Sequence, residues 1–485
     1  MTDEENRREP GEVEVLETTA RRALWWSVTN NVVGRVGTTL IGIVLARILS
    51  PEDYGVYAVA LVVLNVLLSV NELGVSLAIV RRPGDVSAIA PTVGTLSLAT
   101  SLLMWAIIFA VAPAIAGALG IADAAGVIRV LALAIVVDAL TAVPAALMTR
   151  DFMQKERLIV DTAGFVATSA ISLALAAGGA GPWALVWGAL LGNVVNAAFI
   201  LRYAPQRFGF GFRPAVAREL LGFGLPLAGA SLLIIALLEI DYVVIGAELG
   251  AVSLGLYLLA FNLSTWPVNM FSAPARRISL PLFARLHNGE TSASEAFVPV
   301  CCALLLVTLP ACILLAVFAE PLVDIVYGEQ WLDSAQVLPW LMVLAFTRVL
   351  GELVYDFLVA LGMSRTNLAL QAVWLVALVV ALPIAVRVDG IVGVGIAHAG
   401  VAITIVLPPM RSSSGAPASR CGGGRAARAA LAGGVLGAAA GICAVALISD
   451  GIVQVAIGAA LVAGIYLVVV YPMRAMLTAP LAGSA

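Results

Sequence analysis

The chain has 485 residues, of which 61% are hydrophobic and only 12% charged, and its mean hydropathy of +1.03 lies far outside the balance of a water-soluble domain. These values exclude a soluble enzyme and a nucleic-acid-binding module and point to an all-α polytopic membrane protein. The formal net charge of -3 says little about partners other than membrane lipids, because charges in such a chain are sorted by side of the membrane.

Residues 1–23 are rich in Glu and Arg and lack the apolar core and small-residue cleavage site of a removable signal peptide. They read as a cytoplasmic tail, with helix one acting as its own insertion signal. Apolar runs long enough to cross a bilayer follow near 24–49, 54–80, 88–112, 125–148, 158–178, 182–201, 220–246, 251–274, 295–318, 335–361, 366–386, 390–409, 428–448 and 452–473. About fourteen transmembrane helices are therefore expected. Taking alternate connections as cytoplasmic collects 22 of the 27 Lys and Arg residues on that side, an asymmetry that places both termini in the cytoplasm. Five cysteines (Cys301, Cys302, Cys312, Cys421 and Cys443) show neither a disulfide framework nor metal-ligand spacing.

The chain repeats itself. Gly55-Val56-Tyr57-Ala58-Val59-Ala60 opens span two, and Gly255-Leu256-Tyr257-Leu258-Leu259-Ala260 opens span eight. A Gly-x-Tyr-x-x-Ala pattern recurring after six spans predicts two six-helix lobes in parallel orientation, an arrangement in which transporters place substrate near mid-membrane. The lobes are expected at 24–203 and 220–409, joined by a cytoplasmic linker at 204–219. A second linker at 410–427 then leads to a C-terminal helix pair and tail at 428–485. The stretch around Arg411 to Ala430 is low-complexity, either a flexible linker or a local frameshift.

Polar residues within the spans are the candidate site. Arg35 lies about 13 residues from Arg22 and 15 from Ser50, hence roughly 20 Å from either interface. A cation at that depth costs at least ~2.5 kcal/mol on insertion scales and faces a protein interior or watered cavity. Its planar donor fork suits phosphate oxygens; the alternative is a salt bridge to a neighbouring acid. Asn31 and Asn65 accompany it as substrate-binding candidates, as does Arg348, which shares a helix face with Glu352 and Asp356 and could instead neutralise Glu352. Glu239 and Asp241 in span seven are ion-coupling candidates or a hydrated rim. Asp138 and Asp161 are either coupling sites or partners for Arg35 or Arg129. His398 is a packed histidine or a proton relay. Tyr327 to Trp331 is expected as an outer loop with an aromatic anchor at the interface.

Neither a Walker loop, a metal-ligand cluster nor a nucleophile elbow occurs, so no catalytic residue and no cofactor is expected. Glu52 and Asp53 could serve a membrane glycosyltransferase or polymerase as catalytic acids, but the outer loops are too short to build such a site.

The sequence Leu49-Ser50-Pro51-Glu52-Asp53-Tyr54-Gly55-Val56-Tyr57 is followed by Phe223-Gly224-Leu225-Pro226 and by Asp241 with Ile245-Gly246 and Leu249-Gly250. Leu254-Gly255-Leu256-Tyr257, Ala260 and Tyr327-Gly328 with Trp331 complete the series. In this order the segments resemble the polysaccharide-transporter, or lipopolysaccharide-biosynthesis oligosaccharide flippase, branch of the multidrug, oligosaccharidyl-lipid and polysaccharide exporter superfamily. The resemblance covers about residues 20–405. It implies alternating-access translocation of polyprenyl-pyrophosphate-linked glycans across the bacterial inner membrane, with a lipid-linked oligosaccharide as ligand and a glycan polymerase and glycosyltransferases as partners. A multidrug or organic-cation exporter of the same superfamily is the alternative.

Overall fold

A backbone crossing a bilayer has no water to bond with and must satisfy its N–H and C=O groups internally, which these apolar runs do as helices. The computed structural model describes residues 34–71, 89–204, 209–287, 293–413, 423–448 and 451–471. Among them the elements are helical, and ten segments are long and apolar enough to cross a membrane. The chain is a multi-pass, all-helical membrane protein.

The chain divides into two compact units, 1–235 and 236–485. In the first, α1 (34–48), α2 (Pro51–Asn71), α3 (Ala90–Ala118), α4 (Ala124–Leu131) with α5 (Ala134–Arg150), α6 (Gln154–Ala177) and α7 (Pro182–Tyr203) supply the six predicted spans. The seventh begins in α8 (Pro214–His287), whose non-helical residue Gly250, at φ 79°, divides it into 214–249 and 251–287. The boundary between units falls inside α8 and not in the connection 204–219, because the residues around that connection are committed to the first unit. The Gly211 N–H donates to the Thr95 hydroxyl at 3.0 Å and the Arg213 N–H to the Thr92 hydroxyl at 3.1 Å. Val216, Leu220 and Ala228 then pack on Ile89, Val93, Val143 and Leu147.

The second unit continues through α9 (Ala293–Val317), α10 (Ala319–Val326), a 3₁₀ turn at Glu329–Trp331, α11 (Leu332–Ala360) and α12 (Ser364–Ser413). Asp389 and Gly390 break α12 into 364–388 and 391–413, matching two predicted spans. The last pair, α13 (Gly423–Leu447) and α14 (Gly451–Val470), packs on α9 through Leu306, Ala430, Tyr466 and Val470. Helix thus occupies both ends of the low-complexity stretch 410–427, whose middle lies outside the described residues.

Two local devices explain the first hairpin. Ser50 caps α2: the Asp53 carboxylate accepts from the Ser50 N–H at 2.9 Å and its hydroxyl at 2.8 Å, while the Asp53 N–H returns to the Ser50 oxygen at 3.2 Å. This reciprocal box, with Pro51 in the first turn, starts the helix and gives Asp53 a capping role. The α6–α7 pair closes on small residues in antiparallel register, Thr168 opposite Gly192 and Ser172 opposite Gly188. A Cβ built on either glycine would overlap the facing hydroxyl, the close approach on which helix pairing in lipid depends.

The repeat is visible in packing as well as in sequence. The Gly-x-Tyr-x-x-Ala segment begins at the fifth residue of α2 and at the fifth residue after the Gly250 break. The preceding positions 52 and 252 are exposed in both, and residues 54–56 and 254–256 are buried in both. Glu52→Cys and Val252→Cys, each in a background without the native cysteines, are expected to react with a membrane-impermeant maleimide from the same side of the membrane. Labelling from opposite sides would break the parallel repeat.

Candidate functional site

Charged side chains inside the spans are held in three ways. The first is purely structural. In α3, Pro113 carries no N–H, so the Phe109 carbonyl four residues earlier loses its helical partner. Arg129 of α4 takes that place, its Nε donating to the Phe109 oxygen at 2.8 Å with the guanidinium 4.6 Å from the Phe109 ring centroid. The Trp105 indole N–H in turn donates to the Arg129 carbonyl at 3.2 Å. Arg129 therefore replaces the hydrogen bond that Pro113 cannot make, and the structure does not bring it to Asp138 or Asp161 as an ion-pair partner.

Asp356 is likewise a structural acid. It is 1% exposed and pairs with Arg276 Nε at 3.2 Å, and Ser279 donates to its other oxygen at 3.1 Å. The face shared by Arg348, Glu352 and Asp356 ends in an ion pair to the 251–287 helix. Nearby, Phe283, Phe297 and Phe357 stack with centroids 4.7–6.1 Å apart. Trp331, predicted as an interfacial anchor, is 0% exposed: the 3₁₀ turn folds it inward, where it holds α10 and α11 together by packing. At the two breaks of the second unit, Arg387 forms a two-bond pair with Glu248 (2.6 and 3.2 Å). The Arg387 hydrogen bond holds the Glu248 carboxyl below its usual range, and the pair is exposed enough for salt to screen it.

The second arrangement lies in the second unit. Asp241 is 0% exposed, yet its hydrogen bonds come from neutral groups: the Tyr257 hydroxyl at 2.7 Å and the Tyr242 N–H at 3.0 Å. His398 places Nε2 3.8 Å from an Asp241 oxygen, and both its ring nitrogens are buried with no hydrogen-bond partner among the described residues. Tyr242, Tyr257 and Phe261 wall the acid with ring contacts at 5.6–6.0 Å, and Arg348 lies 5.9 Å from the Phe261 centroid. Arg348, Glu239 and Glu352 are close enough to enter the electrostatics of this cluster. Arg348, expected from sequence beside Arg35 as a substrate contact, stands at the edge of this cluster, against the Phe261 ring. His398 is the member that sequence reasoning undervalued; a lone histidine in an apolar run was the available signal.

The third arrangement is a cavity of about 530 Å³ within the first unit, lined from α5 by Asp138, from α6 by Arg157, Asp161 and Thr168, and from α7 by Asn193 and Asn196. Asn193 donates to Asp138 at 3.0 Å, and Arg157 donates to Thr149 at 2.8 Å. Asp138 and Asp161, two of the four acids read as coupling candidates, therefore share one polar chamber, and two asparagines not singled out from sequence join them. Arg35 is exposed on α1. It stands 100° round the helix from Val36, the first of the exposed apolar row Val36, Leu40, Val44 and Ile48. Arg35 falls instead on the line of Gly42 and Ala46. Asn65 is half-buried in α2, and Asn31 lies outside the described residues. Among the described residues no group of His, Cys, Asp and Glu is arranged to hold a metal ion.

The family described as "Polysaccharide biosynthesis protein" matches residues 44–336, more than half of the chain. The chain belongs to that family. It is similar to the lipopolysaccharide biosynthesis protein WzxC of Escherichia coli (strain K12), 26% identical over 71% of this chain and 70% of WzxC. It is also similar to the succinoglycan biosynthesis transport protein ExoT of Rhizobium meliloti (strain 1021), 27% identical over 64% of this chain and 63% of ExoT. The solved lipid II flippase MurJ, in an inward closed conformation, shares the fold with a TM-score of 0.72 at 13% identity, covering 93% of this chain and 100% of that one.

The Arg129 contact makes a sharp stability prediction for this family member. Arg129→Leu strands the Phe109 carbonyl and is expected to cost about 1–3 kcal/mol, seen as a lower melting temperature in detergent. Pro113→Ala restores the missing N–H, so the double variant should recover most of that loss. Equal losses in the single and double variants would show that Arg129 acts some other way.

Proposed function

We propose that this chain is a transporter and not an enzyme, carrying lipid-linked oligosaccharide or polysaccharide precursors across the bacterial inner membrane by alternating access, with both termini in the cytoplasm. Membership of the polysaccharide biosynthesis family carries the reading. Its support in the geometry is a cation, Arg35, exposed on a spanning helix away from the apolar row. The lipid pyrophosphate is dianionic or more, and a guanidinium can meet two of its oxygens at once. Asn31 and Asn65 would assist it by neutral hydrogen bonds. Glycosyltransferases that build the lipid-linked glycan and a polymerase that consumes it are the partners this role requires. The organic-cation exporter alternative draws less support, since an exposed cation repels such cargo and both sequence relatives carry polysaccharide names.

Coupling is assigned to Asp241 with His398, and Glu239 adds to the field there. A proton received at this pair can reside on imidazole or carboxylate, with Tyr257 and Tyr242 donating to the acid in either state. Arg348 supplies compensating positive charge when the acid is ionised.

Two measurements test the proposal. Arg35→Lys retains the charge but not the fork, so transport of lipid-linked glycan into the outer leaflet of proteoliposomes should fall about tenfold or more with melting temperature unchanged; undiminished transport removes Arg35 from the mechanism. The double change Glu239→Gln with Asp241→Asn should abolish the dependence of transport on an imposed proton gradient. Retained dependence would show that coupling lies elsewhere.

A further inference from the structure

The cavity of the first unit is larger and chemically more mixed than coupling requires. An inorganic cation needs oxygen ligands converging within about 2.0–2.6 Å, whereas about 530 Å³ falls in the range of sites for whole small organic ligands. Its polar lining alternates acceptors and donors: the Asp138 and Asp161 carboxylates, the Asn193 and Asn196 amides, the Thr168 hydroxyl and the Arg157 guanidinium. The remaining wall is mostly apolar and includes Met148, Val160, Ile200 and the Phe165 ring, whose outer edge packs against Gly37 of α1. A vicinal diol donates to a carboxylate and accepts from an amide at once, and the C–H face of a pyranose stacks on an aromatic ring.

The chamber also has direction. Met148, Arg157 and Ile200 lie towards the α5–α6 turn, while Asp138 is about 15 Å deeper along α5, with Asn193 bonded to it from α7. The deep end is kept narrow by the Thr168–Gly192 contact, and the end near the turn carries Arg150, Lys155, Arg157 and Arg202, the basic set expected on the cytoplasmic side.

Resting on the flippase reading, we propose that this chamber is the site at which the sugar portion of the lipid-linked substrate is recognised: a carbohydrate site that binds hydroxyl-rich rings through Asp138, Asn193, Asn196 and Thr168. It sets glycan selectivity separately from the pyrophosphate contact at Arg35.

Two probes test this on the full-length purified protein, by native mass spectrometry or by titration in detergent: bare undecaprenyl pyrophosphate, and lipid-linked oligosaccharide extracted from the organism that encodes the chain. The wild type should bind the glycosylated lipid about tenfold more tightly than the bare one, a difference that one or two net hydrogen bonds supply. Asn196→Ala and Asp138→Asn should each erase most of that difference and leave affinity for the bare lipid unchanged, while Val194→Ala, on an exposed part of the same helix, changes neither. Equal affinity of the wild type for the two lipids overturns the sugar site and leaves the flippase reading standing. Binding of neither lipid overturns both. A sugar-dependent difference that survives in both variants places glycan recognition outside this chamber and also overturns the proposal.

Discussion

Hydrocarbon offers no hydrogen-bond partner, so each polar group carried into the membrane must be met by another part of the chain. The contact between Arg129 and the Phe109 carbonyl shows how far this constraint reaches. A proline at position 113 has no N–H to offer, one carbonyl of α3 is left without its helical partner, and a charged side chain from the next helix is committed to it. The same necessity seats Asp356 between Arg276 and Ser279 and sends the Gln454 amide to the Val445 carbonyl at 2.7 Å in the terminal helix pair. These groups are spent on architecture, and removing them from consideration narrows what remains for transport.

Small residues impose the complementary constraint. Without a hydrophobic force to join helices in lipid, close packing must hold them. The α6–α7 seam shows this in the Gly188–Ser172 and Gly192–Thr168 contacts, and α13 repeats it with Gly437 and Gly441 set against Val462. In the first unit the seam does more than join two helices. The register that brings Thr168 against Gly192 also brings Gly164 against Asn196, so polar side chains line a chamber where bulky apolar ones would fill it. Packing and site are one arrangement there.

Local and periodic features were legible in the sequence. Apolar runs marked the spans, the two Gly-x-Tyr-x-x-Ala segments marked the repeat, and the ordered patterns from Leu49 to Trp331 pointed to the family. The partners of buried charges were not legible, because they are fixed by tertiary contact: Asp356 finds Arg276 80 residues away, and Asp241 meets His398 from another helix of the second unit. Arg129 was harder still, since its partner is a backbone carbonyl that only the proline makes available. Trp331 was misplaced because an aromatic residue in a short turn fits an interface and a packed core equally well. Asp53 was readable and was passed over, for Ser-Pro-Glu-Asp before an apolar run is a helix-capping pattern.

What separates the acids of architecture from those available for transport is the charge of their donors. A carboxylate bonded to an arginine, as Asp356 is, is held most strongly while ionised, since protonation gives up the ion pair to Arg276. Asp241 and Asp138 receive their hydrogen bonds from tyrosine, backbone amide and asparagine. A neutral donor serves an ionised carboxylate well and a protonated one adequately, so the geometry survives a change of charge. Around Asp241 stand aromatic rings and a histidine whose two ring nitrogens have no hydrogen-bond partner among the described residues, and around Asp138 lies a polar cavity. The two units set the same chemical device, an acid on neutral donors, in different surroundings, and the coupling role proposed for one and the sugar site proposed for the other rest on that difference.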